Sequence, residues 1–152
     1  MGAARVQRED FDAAAEGRAL TKGRYDIGAL ASFIGLCRDE GGRLAALEIE
    51  HYPGMAEAEI ARVIAAAETR WPLLGVTVIH RHGAIKPGEQ IVYVGVAAAH
   101  RGEAFAAAEM LIDYLKTGAP FWKRARGRDG TVGDWVEAQA SDTAQAARWT
   151  KP

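Results

Sequence analysis

Cysteine is almost absent from this chain. The single Cys37 excludes an internal disulfide and leads to the expectation of a reducing compartment. No apolar run reaches the roughly 18 residues that a membrane span requires, so no membrane association is expected. Met1–Asp10 lacks an apolar stretch and does not read as a signal peptide, which makes a cytoplasmic location the expectation. Charge of one sign is also missing in excess. A formal net charge of -1 supplies no global field for nucleic acid or an anionic membrane, so an anionic ligand has to be held by a local cluster. No G-x-G-x-x-G, P-loop, H-E-x-x-H or G-x-S-x-G motif occurs. Lysine is scarce: there are five, at 22, 86, 116, 123 and 151, against fourteen arginines.

What is present suits one soluble domain over 1–152. Residues 1–24 have room for a strand and a short helix but no clean periodicity to place them, and this segment is expected to be mobile. Ile27–Cys37 reads as a largely buried strand, and Asp39–Arg43 as a turn. Leu47, Ile49 and His51 alternate with Glu48, Glu50 and Tyr52, which predicts a half-wet strand forming a hairpin with the first. Met55–Arg70 has helical spacing and is stopped by Trp71-Pro72. Strands follow at Val76–Arg81 and Ile91–Ala98, the second central because both its faces are apolar. The loop His82–Glu89 between them is rich in turn residues.

His100–Thr117 predicts a second helix with Phe105, Ala108, Leu111, Ile112 and Leu115 inward. Gly118 stands where a left-handed cap belongs, and Pro120 forbids continuation. Arg124–Asp134 reads as a mobile basic loop, Trp135–Ala138 as a short strand, and Ser141–Thr143 as the cap of a last turn through Trp149. The order of elements is that of an α+β fold with a mainly antiparallel sheet.

Two of the five lysines, Lys116 and Lys123, lie seven residues apart beside Phe121 and Trp122. Lysine can lose its proton when desolvated and arginine effectively cannot, so this placement suits amine chemistry. A neutral amine at pH 7 needs a downward shift of about three pH units, roughly 4 kcal/mol of differential interaction. The alternative is a pair of snorkelling surface lysines, with Lys116 favoured by a helix C-terminus. His100 and Arg101 sit between a central strand and a helix N-terminus, a common anion-binding position, or else act as a cap and a solvated charge. Arg38 ends the first strong strand and gains meaning only if it converges with the other cations. His80 and His82 form an i, i+2 pair without a third ligand at clear spacing, so no metal site is predicted. Cys37 reads as core rather than nucleophile. The aromatic residues of 114–122 can stack on a flat heterocycle or fill the core.

With these residues in view, the chain resembles the large, catalytic subunit of molybdopterin synthase. The resemblance rests on Glu50-His51-Tyr52-Pro53-Gly54-Met55, Val76-Thr77-Val78-Ile79-His80-Arg81, Pro87-Gly88-Glu89, Ala99-His100-Arg101, Asp113-Tyr114-Leu115-Lys116-Thr117 and Ala119-Pro120-Phe121-Trp122-Lys123-Arg124. Arg70-Trp71-Pro72, Val94-Gly95-Val96 and Trp135-Val136-Glu137-Ala138 extend it in family order from about residue 25 to residue 149. It implies an α/β-hammerhead-like fold. It also implies a sulfurtransferase that makes the dithiolene of molybdopterin by adding two sulfurs to cyclic pyranopterin monophosphate.

The sulfur donor implied is the thiocarboxylated Gly-Gly C-terminus of a small ubiquitin-like subunit, with no resident cofactor. A homodimer of large subunits within a heterotetramer is implied too. On this resemblance Lys116 and Lys123 are the essential lysines. Arg38, His100 and Arg101 bind the anion, the backbone near Leu36 and Cys37 and the stretch from Arg124 line the pocket, and Cys37 carries no sulfur. The turn 39–43 and the loops 82–86 and 125–134 depart from the family pattern. The competing class is a non-catalytic module that captures a ubiquitin-like tail.

Overall fold

The computed structural model describes residues 2–136, 147 and 149. The elements run β1 (Gly2–Gln7), α1 (Ala13–Thr21), β2 (Ala29–Leu36), β3 (Leu44–His51), α2 (Met55–Arg70), β4 (Leu73–Arg81), β5 (Gly83–Ile85), β6 (Gln90–Ala98), α3 (Arg101–Thr117) and β7 (Phe121–Gly127). Two sheets result. One has the order β1-β4-β6-β2, antiparallel except for the parallel β1–β4 pair; the other is an antiparallel β5-β3-β7 sheet. The expected α+β class holds.

The first sheet is covered on both faces, which is why β6 lacks a polar side. Val92, Val94 and Val96 join the main core with Ile60, Val63, Ile64, Leu111 and Leu115 from α2 and α3. Tyr93, of opposite parity, meets Phe11 at 6.0 Å between ring centroids and bonds Ser32 through its hydroxyl. The central position predicted for β6 follows from this two-sided burial. Helix α2 starts where Glu57 accepts the Gly54 N–H at 2.6 Å, and it ends at Trp71, whose extended backbone (φ -132°, ψ 149°) suits the residue before proline.

Several expectations are corrected. The strands β2 and β3 do not form a hairpin: β2 pairs with β6, Ala31 opposite Val96, whereas β3 lies in the other sheet between β5 and β7. The link between them contains Gly41 and Gly42 at φ +83° and +71°, and the end of β2 is tied instead to the turn before β6, with Cys37 N–H donating to Glu89 O at 2.8 Å. The presumed loop 82–89 opens with β5. The stretch from 124 is not all loop, because β7 continues to Gly127, and Gly133 N–H then donates to Ala125 O at 2.9 Å.

Phe105 is 65% exposed, since the buried stripe runs Ala104, Ala107, Ala108, Leu111, Leu115 and leaves position 105 about 100° off it. Gly118 is not left-handed; its φ is -110°. A Cβ there would lie 2.6 Å from the Tyr114 ring, so glycine is required by close approach rather than by backbone conformation. Val136 pairs with Lys123 in a bridge. The rest of the expected strand, 137–138, and the Ser141–Thr143 cap lie outside the described residues. Residues 2–7 and 13–21, unplaced from sequence, are an edge strand and a helix capped by Asp12.

Leu111 is 1% exposed where α3 meets the sheet. Leu111→Ala is expected to cost about 2–5 kcal/mol, read as a lower urea midpoint at unchanged slope.

Candidate active site

The site forms where α3 stops. Lys116 lies in the last turn of α3, and the Gly118 and Ala119 N–H groups close on Tyr114 O at 2.7 and 3.3 Å. Pro120 then sends the chain away from the helix, and β7 runs antiparallel to β3 with Lys123 opposite Ile49 and Arg124 opposite Glu48. Arg124 and Arg126 both donate to the Glu48 carboxylate, which holds that acid below the usual carboxylate range. The Arg124 guanidinium also lies 4.2 Å from the Trp135 ring centroid.

Lys116, Lys123, Arg124, Arg38 and Arg43 line one cavity of about 930 Å³. Its wall also includes Leu44, Leu47, Phe121 and Trp122. Among the described residues that line it there are five cations and no carboxylate. Such a cavity favours an anion with an apolar or aromatic body. Lys116 is exposed and Lys123 half-buried, so the two amines reach the same space from the helix end and from the strand.

The other residues singled out from sequence fall elsewhere. Leu36, 57% exposed, ends β2 and does not line this cavity. Cys37 lines it but is 4% exposed, and its thiol donates weakly to Ile85 O at 3.7 Å. Burial, with Glu89 and Asp39 nearby, pushes that thiol up, which opposes a ready nucleophile. His100 and Arg101 are exposed at the N-terminal end of α3. Arg101 and Lys116 are fifteen positions apart, roughly 22 Å of helix axis, so one chain does not bring them together. His80 and His82 meet different rings of one row: the His82 ring meets His51 at 4.3 Å, His51 faces Phe121 at 6.2 Å, and His80 stacks on Phe121 at 3.9 Å and 16°.

Sequence reasoning missed Arg43, read only as a turn residue, and the place of His80 beneath the lysines. No local pattern marks either, because both depend on the β3–β7 pairing.

A scan of family models matches the MoaE protein family over residues 6–118. A molybdopterin synthase catalytic subunit from Mesorhizobium japonicum is 64% identical over 145 residues, covering 95% of this chain and 91% of the relative. The solved MoaE protein from Burkholderia ambifaria superposes with a TM-score of 0.85 at 46% identity over 100% of both chains. The molybdopterin synthase structure from Staphylococcus aureus aligns at a TM-score of 0.78 and 25% identity, over 87% of this chain and 95% of that one.

The chain belongs to the MoaE protein family.

Membership makes it an enzyme of molybdenum cofactor biosynthesis, and the non-catalytic reading falls away. In this MoaE-family chain the cationic cavity at the end of α3 is the candidate active site.

His80 supplies a pH signature for it. The ring is 2% exposed, and burial together with the Lys123 and Lys116 charges lowers its pKa to about 3. Above pH 6.5 the ring is neutral whether the chain is folded or not. As pH falls from 6.5 towards 3, the unfolded chain takes up a proton that the folded one refuses. Stability is therefore expected to decline across that window by about 1.4 kcal/mol per pH unit from this group. His80→Gln should flatten the decline, as measured by urea unfolding at a series of pH values.

Proposed function

We propose that this chain transfers both dithiolene sulfurs to cyclic pyranopterin monophosphate, taking them from the thiocarboxylated Gly-Gly terminus of a small ubiquitin-like subunit. The observation that carries the reading is the convergence of Lys116, Lys123, Arg38, Arg43 and Arg124 on one cavity that has no carboxylate among its described lining residues. Substrate phosphate and donor thiocarboxylate are both anions, and a wall of five cations can hold them side by side in spite of their mutual repulsion.

The apolar wall with Phe121 and Trp122 suits the flat pterin. The donor tail enters extended, fixed by main-chain contacts. Lys116 acts at the thiocarboxylate as acid–base or electrostatic stabiliser, and Lys123 assists and binds substrate. Arg38 and Arg124 provide fixed positive charge. No resident cofactor is needed, since sulfur arrives on the partner. Among the described residues no helix is long and apolar enough to cross a membrane; the reading places the reaction in the cytoplasm.

His100 and Arg101 enter this reading through a second copy of the chain. Their separation from Lys116 along α3 means that they complete a phosphate site only if a homodimer brings the α3 N-terminus of one protomer to the cavity of the other. The assembly is then a central homodimer carrying two small subunits.

In an assay with thiocarboxylated partner and substrate, Lys116→Ala should leave almost no dithiolene product. Lys116→Arg should not restore it, because a guanidinium keeps the charge but not the amine; near-normal turnover by either variant would sink the assignment. Mixing inactive Lys116→Ala and Arg101→Ala chains tests the shared site. Random pairing gives mixed dimers with one intact site, so about a quarter of wild-type activity should return, and none should return if each site belongs to a single chain.

A further inference from the structure

Strand β4 is the inner strand between β1 and β6, and His80 on it is 2% exposed. An imidazole buried in an otherwise apolar layer must satisfy its polar atoms. Its Nδ1 lies 2.8 Å from the Arg81 carbonyl oxygen. That oxygen can only accept, so Nδ1 carries the hydrogen and Nε2 is left as the ring's lone-pair nitrogen.

The ring stacks on Phe121, with 3.9 Å between centroids, at the start of the strand that carries Lys123. Beside it is a cavity of about 30 Å³, lined by five apolar side chains and by three polar ones: His80, Lys116 and Lys123. That volume holds about one water molecule. A buried acceptor and the two amines of the candidate active site thus share one water-sized space, on the core side of the larger cavity.

We propose that His80 is a positioning residue for the two amines: its Nε2 accepts a hydrogen bond from Lys123, directly or through one water in this cavity, and so fixes how Lys123 and the adjacent Lys116 present their N–H groups to substrate. This rests on the sulfur-transfer reading of the two lysines. A neutral acceptor is what the place demands, since a protonated ring would repel both ammonium groups and offer no lone pair. Burial and those same charges keep the ring neutral. The stack on Phe121 makes the arrangement rigid, because moving the ring means moving the first residue of β7. His80 touches neither reacting atom and acts through the lysines.

The test separates the two ends of the ring. Asparagine at 80 places a donor near Nδ1 and can keep the Arg81 contact, but it has nothing at the far end. Glutamine places an amide oxygen near Nε2 and gives up the near contact. In the complete complex with thiocarboxylated partner, His80→Asn should lower kcat about a hundredfold with KM little changed, and His80→Gln should recover at least tenfold of that loss. A purely structural histidine predicts the reverse order, or equal effects that track thermal stability, and either result overturns the proposal.

Should neither variant fold, the wild-type complex still decides. The 15N resonance of His80 Nε2 should report an accepted hydrogen bond, and Lys123→Ala should shift it. An unshifted resonance overturns the proposal. Absence of turnover by the wild-type complex would count against the sulfur-transfer reading instead, and the resonance would then judge His80 alone.

Discussion

The antiparallel pairing of β3 with β7 is the constraint on which the site depends. Lys116 and Lys123 are separated by a glycine and a proline, and the chain between them could leave α3 in many directions. Pairing selects one: Ile49 opposite Lys123 and Glu48 opposite Arg124 define where the strand returns. Glu48 fastens it by receiving Arg124 and Arg126 together, a charged cross-strand contact in which the two arginines compensate one half-buried acid. On the helix side, Tyr114 donates to Glu59 of α2 at 3.1 Å, and Gly118 leaves room for its ring. Burial beside the Glu59 carboxylate pushes the Tyr114 hydroxyl up to about 12, so it stays a donor. The turn is held from both ends, and the amines are placed by a helix and by a strand of the three-stranded sheet.

Local signals in the sequence were sufficient where the periodicity had one interpretation. The repeated apolar spacing of Ile60, Val63, Ile64 and Ala67, and the proline after Trp71, mark α2 from residue to residue. The two apolar faces of β6 announce an inner strand before any partner is known. Pairing was not legible in the same way. The strands β2 and β3 adjoin in sequence and alternate correctly, which suggests a hairpin, yet the glycine pair at 41–42 carries the chain to a different sheet. For β7 the sequence is misleading. Arg124-Ala125-Arg126-Gly127 has the polarity of a loop, and its pairing with β3, where Glu48 lies opposite Arg124 and 76 residues away, makes it a strand.

The site was legible in proportion to the rarity of its residue types. Two of five lysines beside aromatic residues attract notice without a structure. Fourteen arginines do not, and nothing in the sequence sets Arg43 apart from the rest. His100 and Arg101 show the opposite case. Their place at a helix N-terminus is legible in the sequence, but a helix of seventeen residues carries its two ends far apart, and residues adjacent to one element need not share one cavity. The resemblance to molybdopterin synthase assigned all of these residues to one reaction; only the geometry shows that a single copy of the chain separates them.

The division of labour between the two kinds of cation follows from the same geometry. Arg124 is bound on one side by Glu48 and stacked on Trp135, so its charge is fixed in place and its donors are partly used. Such a group can hold a phosphate but cannot follow a reacting atom. The lysines differ in attachment: Lys116 rides on the exposed last turn of a helix, and Lys123 sits half-buried on a paired strand above His80. On the proposed reading, an amine with rotatable donors can serve charge as it moves from sulfur to oxygen during transfer, and a neighbouring cation makes loss of its proton easier. On the proposed sulfur-transfer reading, a lining all of arginine would hold both anions but offer no amine that can lose a proton. The two lysines, placed by a helix that ends and a strand that begins, add to that electrostatic cradle the donors that can give up a proton.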